Sequence, residues 1–116
     1  MVDRYGPNST GFRAVRHGDT IYVSGVTAED RSADIVGQTT QILDKIGRIL
    51  ADAGSDRSCL LSATVYLKDM AMKAGMQSAW TAWFDPARMP ARATIGVADL
   101  GPDVLIEVVT TACAVK

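Results

Sequence analysis

The 116-residue chain sets 12 Lys and Arg against 13 Asp and Glu, a formal net charge of −1, so no long-range field of either sign recommends nucleic acid as a partner. Its 47% hydrophobic and 22% charged residues suit one buried core in one domain and exclude a disordered chain. No segment approaches the roughly 20 uninterrupted apolar residues that cross a bilayer, and the opening stretch Met1 to Pro7 has no apolar run of signal-peptide length, which together predict a soluble, cytoplasmic protein.

In chain order, Phe12 to Arg16 and Thr20 to Ser24 are short β-prone runs around His17-Gly18-Asp19, the spacing of a hairpin with its turn near Gly18. From about Ala33 to Ala53, Ile35, Ile42, Leu43, Ile46, Ile49 and Leu50 recur at helical spacing, with Asp44, Lys45, Arg48 and Asp52 on the other side. That pattern predicts one amphipathic helix, capped by Ser32 and stopped by Gly54. Leu60 to Lys68 alternates Leu61, Ala63, Val65 and Leu67 against polar neighbours, the period of a strand with one apolar face. Asp69 then caps a second helix over about Met70 to Phe84, which carries Met72, Met76, Ala79, Trp80 and Trp83 and ends at Asp85-Pro86. Two strands follow, about Arg92 to Ala98 and Val104 to Val115, joined near Gly101-Pro102. The order β-β-α-β-α-β-β predicts an α+β fold, a single mixed sheet with two helices on one face.

The last strand bears on assembly. Val104, Ile106, Val108, Ala112 and Ala114 line one face, yet Leu105, Val109, Cys113 and Val115 on the other are apolar too. Two helices dry only one side of a sheet, so the second face calls for another copy of the chain. Within this run stands one carboxylate, Glu107, which needs a partner or a proton once out of water. Arg92 on the preceding strand can pair with it or hold a ligand carboxylate in a two-point fork. Arg92, Thr94 and Gly96 share a face by alternation. If the last two strands are neighbours, Arg92, Thr94 and Glu107 meet on one face; the competing reading is a structural Arg–Glu pair between subunits.

Other reactive types carry less. Cys59 and Cys113 are too few and too far apart for a disulfide framework or a zinc knuckle, and Cys113 in its apolar run reads as a small hydrophobe. His17 is the only histidine, which excludes a His-rich metal site, and its place at a turn makes it a solvated residue. Gln77 reads as a solvated helix residue, and the two Trp residues read as core or interface.

The segment Pro90-Ala91-Arg92-Ala93-Thr94-Ile95-Gly96-Val97, followed by Leu100 and then Val104-Leu105-Ile106-Glu107-Val108, resembles the C-terminal signature of the RidA (YjgF-type) family. Gly18 to Gly25 is similar to that family's hairpin, and Val65 to Met70 to its central strand and helix start; the resemblance runs from about Phe12 to Val115. It implies a chorismate-mutase-like (ferredoxin-like) homotrimer whose clefts between subunits hydrolyse reactive enamines and imines, such as 2-aminoacrylate and 2-iminopropanoate, to 2-keto acids and ammonia. It implies no metal and no organic cofactor. By position Arg92 grips the substrate carboxylate and Glu107 positions or deprotonates the attacking water. The Thr94 backbone carbonyl helps hold that water, and Ser24 and Gly25 line the cleft. Phe12 and Arg13 replace the Tyr and Ser usual in the first strand, Gln77 replaces a common Asn, and Trp80 a common Tyr, so Phe12 and Gln77 are expected to reshape the substrate pocket. Three alternatives stay open: a relative acting on another small carbon–nitrogen substrate of the aminomuconate kind, a noncatalytic trimer that binds small carboxylates or proteins, and a translation-targeting ribonuclease, which the lack of a basic stripe disfavours.

Overall fold

Alternating strands and two amphipathic helices give the computed structural model, which describes residues 1–115, a six-stranded mixed sheet. Its elements are β1 (Val2–Pro7), β2 (Phe12–His17), β3 (Thr20–Val26), α1 (Ile35–Asp52), β4 (Leu60–Leu67), α2 (Lys73–Trp83), β5 (Ala91–Gly96) and β6 (Ile106–Cys113). Across the sheet the strands run β1-β2-β3-β6-β4-β5. Only β4 and β5 are parallel, and α2 connects them. The expected single sheet and two helices are present, with one strand more than the sequence predicted. β1 pairs antiparallel with β2 from Val2↔His17 to Pro7↔Phe12. Its residues, all exposed but half-buried Tyr5, give no alternating apolar signal because an edge strand can be held by its ladder alone.

The hairpin turns at Gly18, whose φ of 62° suits glycine. α1 buries Ile42, Leu43, Ile46, Ile49 and Leu50 against the sheet and stops before Gly54 at φ 87°. Its cap is Asp34, not Ser32: Asp34 accepts from the Gly37 N–H at 2.8 Å, whereas the Ser32 hydroxyl donates to Asp30. Asp69 caps a 3-10 turn, Met70–Met72, that leads into α2, and α2 buries Met76, Ala79 and Trp80.

In β4 the buried positions are Leu60, Ala63, Val65 and Leu67; Leu61, assigned to that face by alternation, is 51% exposed. The register slips by one between Leu60↔Ala112 and Ser62↔Thr111, and this irregularity moves Leu61 out of the core. β6 sits in the middle of the sheet and buries Ile106, Val108, Thr110 and Ala112 under the helices. No helix covers the opposite face. Tyr22 and Ile95 lie exposed on it beside half-buried Val109 and Tyr66. Among the described residues no helix is long and apolar enough to cross a membrane.

Candidate functional site

Arg92 and Glu107 do not meet within one chain. β4 lies between β5 and β6, so the two residues are two strands apart, roughly 10 Å at ordinary strand spacing. They also point to opposite faces. Ala63 pairs with both Arg92 and buried Thr110, which puts Arg92 on the helix side, whereas Glu107 pairs with Tyr66 on the bare side. The condition for Arg92, Thr94 and Glu107 to meet on one face, adjacency of the last two strands, is not met: the chain returns from β5 past β4, and β6 pairs with β3 and β4 instead.

Around Arg92 the edge strand β5 and helix α2 form one candidate neighbourhood. Its Nη2 donates to Gln77 Oε1 at 2.7 Å, its Nη1 approaches Met76 Sδ at 3.7 Å, and its guanidinium lies 5.3 Å from the centre of the Trp80 ring. Gln77 is thus a half-buried partner of Arg92, not a solvated helix residue. Burial pulls the Arg92 pKa below its ordinary value, yet a guanidinium so displaced stays charged at neutral pH. Among the described residues no carboxylate forms an ion pair with it. The guanidinium opens into a cleft of about 500 Å³ walled by Ala74, Gln77, Trp80, Met89 and Pro90. Thr94 follows on the same face, opposite Val65, with its hydroxyl buried and unpartnered.

Glu107, Ser24 and Gly25 form a second candidate neighbourhood. The register between β3 and β6 shifts between Val23↔Thr110 and Val26↔Val108, so Ser24 and Gly25 sit exposed at a bulge beside Glu107. A Cβ on residue 25 would fall on the Glu107 carboxylate, so glycine there gives the acid its place against the backbone. Ser24 and Gly25 also line a hollow of about 160 Å³ with Asn8, Arg13 and Lys45. Lys45 bonds Glu29 at 2.5 Å, and that bond and charge hold the Glu29 carboxyl below its usual range. Phe12 pairs with Pro7 and is 37% exposed on β2, four strands from β5, or roughly 19 Å. The structure therefore sorts the sequence-derived residues into Arg92, Thr94 and Gln77 at one edge and Ser24, Gly25 and Glu107 in the middle, with Phe12 on β2, the strand beside the β3 that carries Ser24 and Gly25.

Sequence reading passed over Tyr66 and Lys45. Tyr66 stood on the polar side of its strand's alternation, and its place opposite Glu107 follows only once β4 is known to pair with β6. Lys45 stood among the solvent-facing charges of α1, and a long side chain at the border of such a face reaches back over the sheet.

The model of a family described as endoribonuclease L-PSP matches residues 7–114. A RutC family protein of Haemophilus ducreyi is 40% identical over 91 residues, 78% of each chain. The RutC family protein YoaB of Escherichia coli is 35% identical over 94 residues, 81% of this chain and 82% of its own. Among solved structures, a member of the YjgF protein family from Neisseria meningitidis superposes with a TM-score of 0.95 at 32% identity, covering 100% of this chain and 97% of that one.

Proposed function

Since this chain belongs to the endoribonuclease L-PSP family, which includes the YjgF and RutC proteins, we propose that it hydrolyses small enamine and imine carboxylates to 2-keto acids and ammonia. The site is completed between copies of the chain in a homotrimer. The observation that carries this reading is Arg92: held by Gln77 and Trp80, with no carboxylate in an ion pair with it among the described residues, and open to a cleft. A cation kept in that state fits a small acid as its counter-ion.

The carboxylate of the substrate takes the two-point fork of Arg92, with Gln77 fixing the guanidinium from behind. That places an electrophilic imine carbon at a defined distance from the wall, and positioning alone removes much of the barrier for a carbon already polarised by nitrogen. Glu107 of a neighbouring copy, set by Gly25, accepts a proton from the attacking water and returns it to the departing nitrogen. The Thr94 carbonyl, on an edge strand with unpaired backbone groups, helps hold the water. One water is consumed, the carbon–nitrogen bond breaks, and a keto acid and ammonia leave. The bare sheet face with Tyr22 and Ile95 supports the same assembly, because an apolar face of this kind is stable when another chain covers it. A balanced surface charge favours a small acid over RNA as the substrate.

The test is incubation of the purified protein with 2-aminoacrylate generated in situ, following keto-acid and ammonia release. Release well above the buffer rate, lost in Arg92→Ala, is expected. A parent protein that only matches buffer, while still binding small carboxylates, makes the cleft a binding site without turnover.

A further inference from the structure

The fold makes neighbours of two cysteines that stand 54 positions apart in sequence. Cys59 closes the 3-10 turn Arg57–Cys59 immediately before β4, and Cys113 ends β6. The antiparallel register Leu60↔Ala112, carried one step further, sets Cys59 opposite Cys113. The Cys113 thiol lies 3.6 Å from the Cys59 carbonyl, and both thiols are free and half-buried. Facing residues of antiparallel strands have Cα atoms about 4.5–5.5 Å apart, inside the roughly 4.4–6.8 Å span that a disulfide requires. The backbone around the pair is pinned already: Ser55 Oγ donates to the Cys113 carbonyl at 2.6 Å, and the Val115 N–H to the Gly54 carbonyl at 3.0 Å. This placement brings the two side chains within the reach of a disulfide.

We propose that Cys59 and Cys113 are a reversible redox modification site, a dithiol that peroxide converts to an intrachain disulfide. One sulfur, as thiolate, attacks a peroxide oxygen, breaks the O–O bond and becomes a sulfenic acid while the other oxygen leaves as water. The second sulfur then attacks the sulfenic sulfur, and the hydroxyl departs with its proton as a second water. Two electrons and two protons pass from the thiols to hydrogen peroxide, and an external thiol reverses the change by exchange. Burial and the adjacent Cys59 sulfur push the Cys113 thiol up, so the reaction quickens as pH rises above neutral. A lone exposed thiol stops at the sulfenic acid or couples between chains; a paired one resolves within its own chain.

The test treats the full chain, in its native assembly, with graded hydrogen peroxide, blocks remaining thiols with an alkylating reagent and reads intact mass and a peptide map. The expected product is lighter by two hydrogens, takes up no alkylating reagent, links the Cys59 and Cys113 peptides within one chain and returns to the dithiol with dithiothreitol. Cys59→Ser and Cys113→Ser should give a trappable sulfenic acid or a chain-to-chain dimer instead. A parent protein that keeps both thiols alkylatable, or yields only over-oxidised or interchain products, overturns the assignment, and this reading of the parent stands whether or not the variants fold.

Discussion

Arg92 and Glu107 lie on opposite faces of one sheet, and their surroundings are built to different ends. At the sheet edge, Arg92 is tied by Gln77 and lies near Trp80, a cation fixed in direction and with no ion-paired acid among the described residues. In the middle, Glu107 rests against a glycine at a strand bulge with Ser24 exposed beside it. The two residues are kept apart within a single copy by the intervening strand β4. Under the proposed function the two surroundings are half-sites, Arg92 for gripping an acid and Glu107 for moving a proton.

The largest effect is expected where the grip is removed. Arg92→Ala deletes two charge-assisted hydrogen bonds, each worth about 1.5–3 kcal/mol, so kcat/KM for imine hydrolysis should fall by on the order of 10³ while the oligomer and its melting temperature stay as they were. Unfolding or dissociation of that variant would make Arg92 a structural residue and break the comparison. Glu107→Gln should lower kcat by about 10²–10³, the usual worth of a positioned general base, with the affinity for a carboxylate product measured by calorimetry unchanged. Loss of affinity in place of turnover would merge the two halves into one binding surface.

Smaller changes sharpen the division. Gly25→Ala places a methyl group where the Glu107 carboxylate now lies; the far end of that side chain can swing away, so stability should hold while kcat drops about tenfold. Gln77→Ala frees the Arg92 guanidinium and removes one hydrogen bond of about 1 kcal/mol, which should raise KM about fivefold and leave kcat alone. Acid separates the halves most gently. Lys45 stabilises the charged form of Glu29, so that contribution is complete above the ordinary carboxyl pKa and is lost as pH falls through the lowered one. Amide exchange at Thr27 and Glu29 should therefore quicken below about pH 4, while that at Gln77 and Arg92, where no carboxylate forms an ion pair, should not follow it.

Periodicity made α1, β4 and β6 legible, because a buried stripe of Ile42, Ile46 and Leu50 or of Ile106, Val108 and Ala112 can be dried in only one way. It could not find β1, which is mostly exposed, lacks an alternating apolar face and is held by backbone pairing. Arg92 and Glu107 stood out in the sequence as charged types in an apolar setting, and the doubly apolar β6 raised the expectation of a second chain. The separation of Arg92 and Glu107 was not legible there, because strand order is decided by long-range pairing: whether β6 goes beside β5 or between β3 and β4 leaves the same alternation in the sequence. For the same reason Tyr66 beside Glu107 and Cys59 beside Cys113 could be seen only in the fold.

The central claim, that one copy supplies the cation and another the carboxylate, is tested most directly by mixing. Arg92→Ala and Glu107→Gln, each inactive alone, are unfolded together and refolded in equal amounts, and imine hydrolysis is measured on the mixed assemblies. Random assortment restores an intact Arg92–Glu107 pairing at about a quarter of the interfaces, so about a quarter of the parental rate should return. Activity that stays at the level of the separate variants, with mixed oligomers verified by mass, would contradict a site shared between copies.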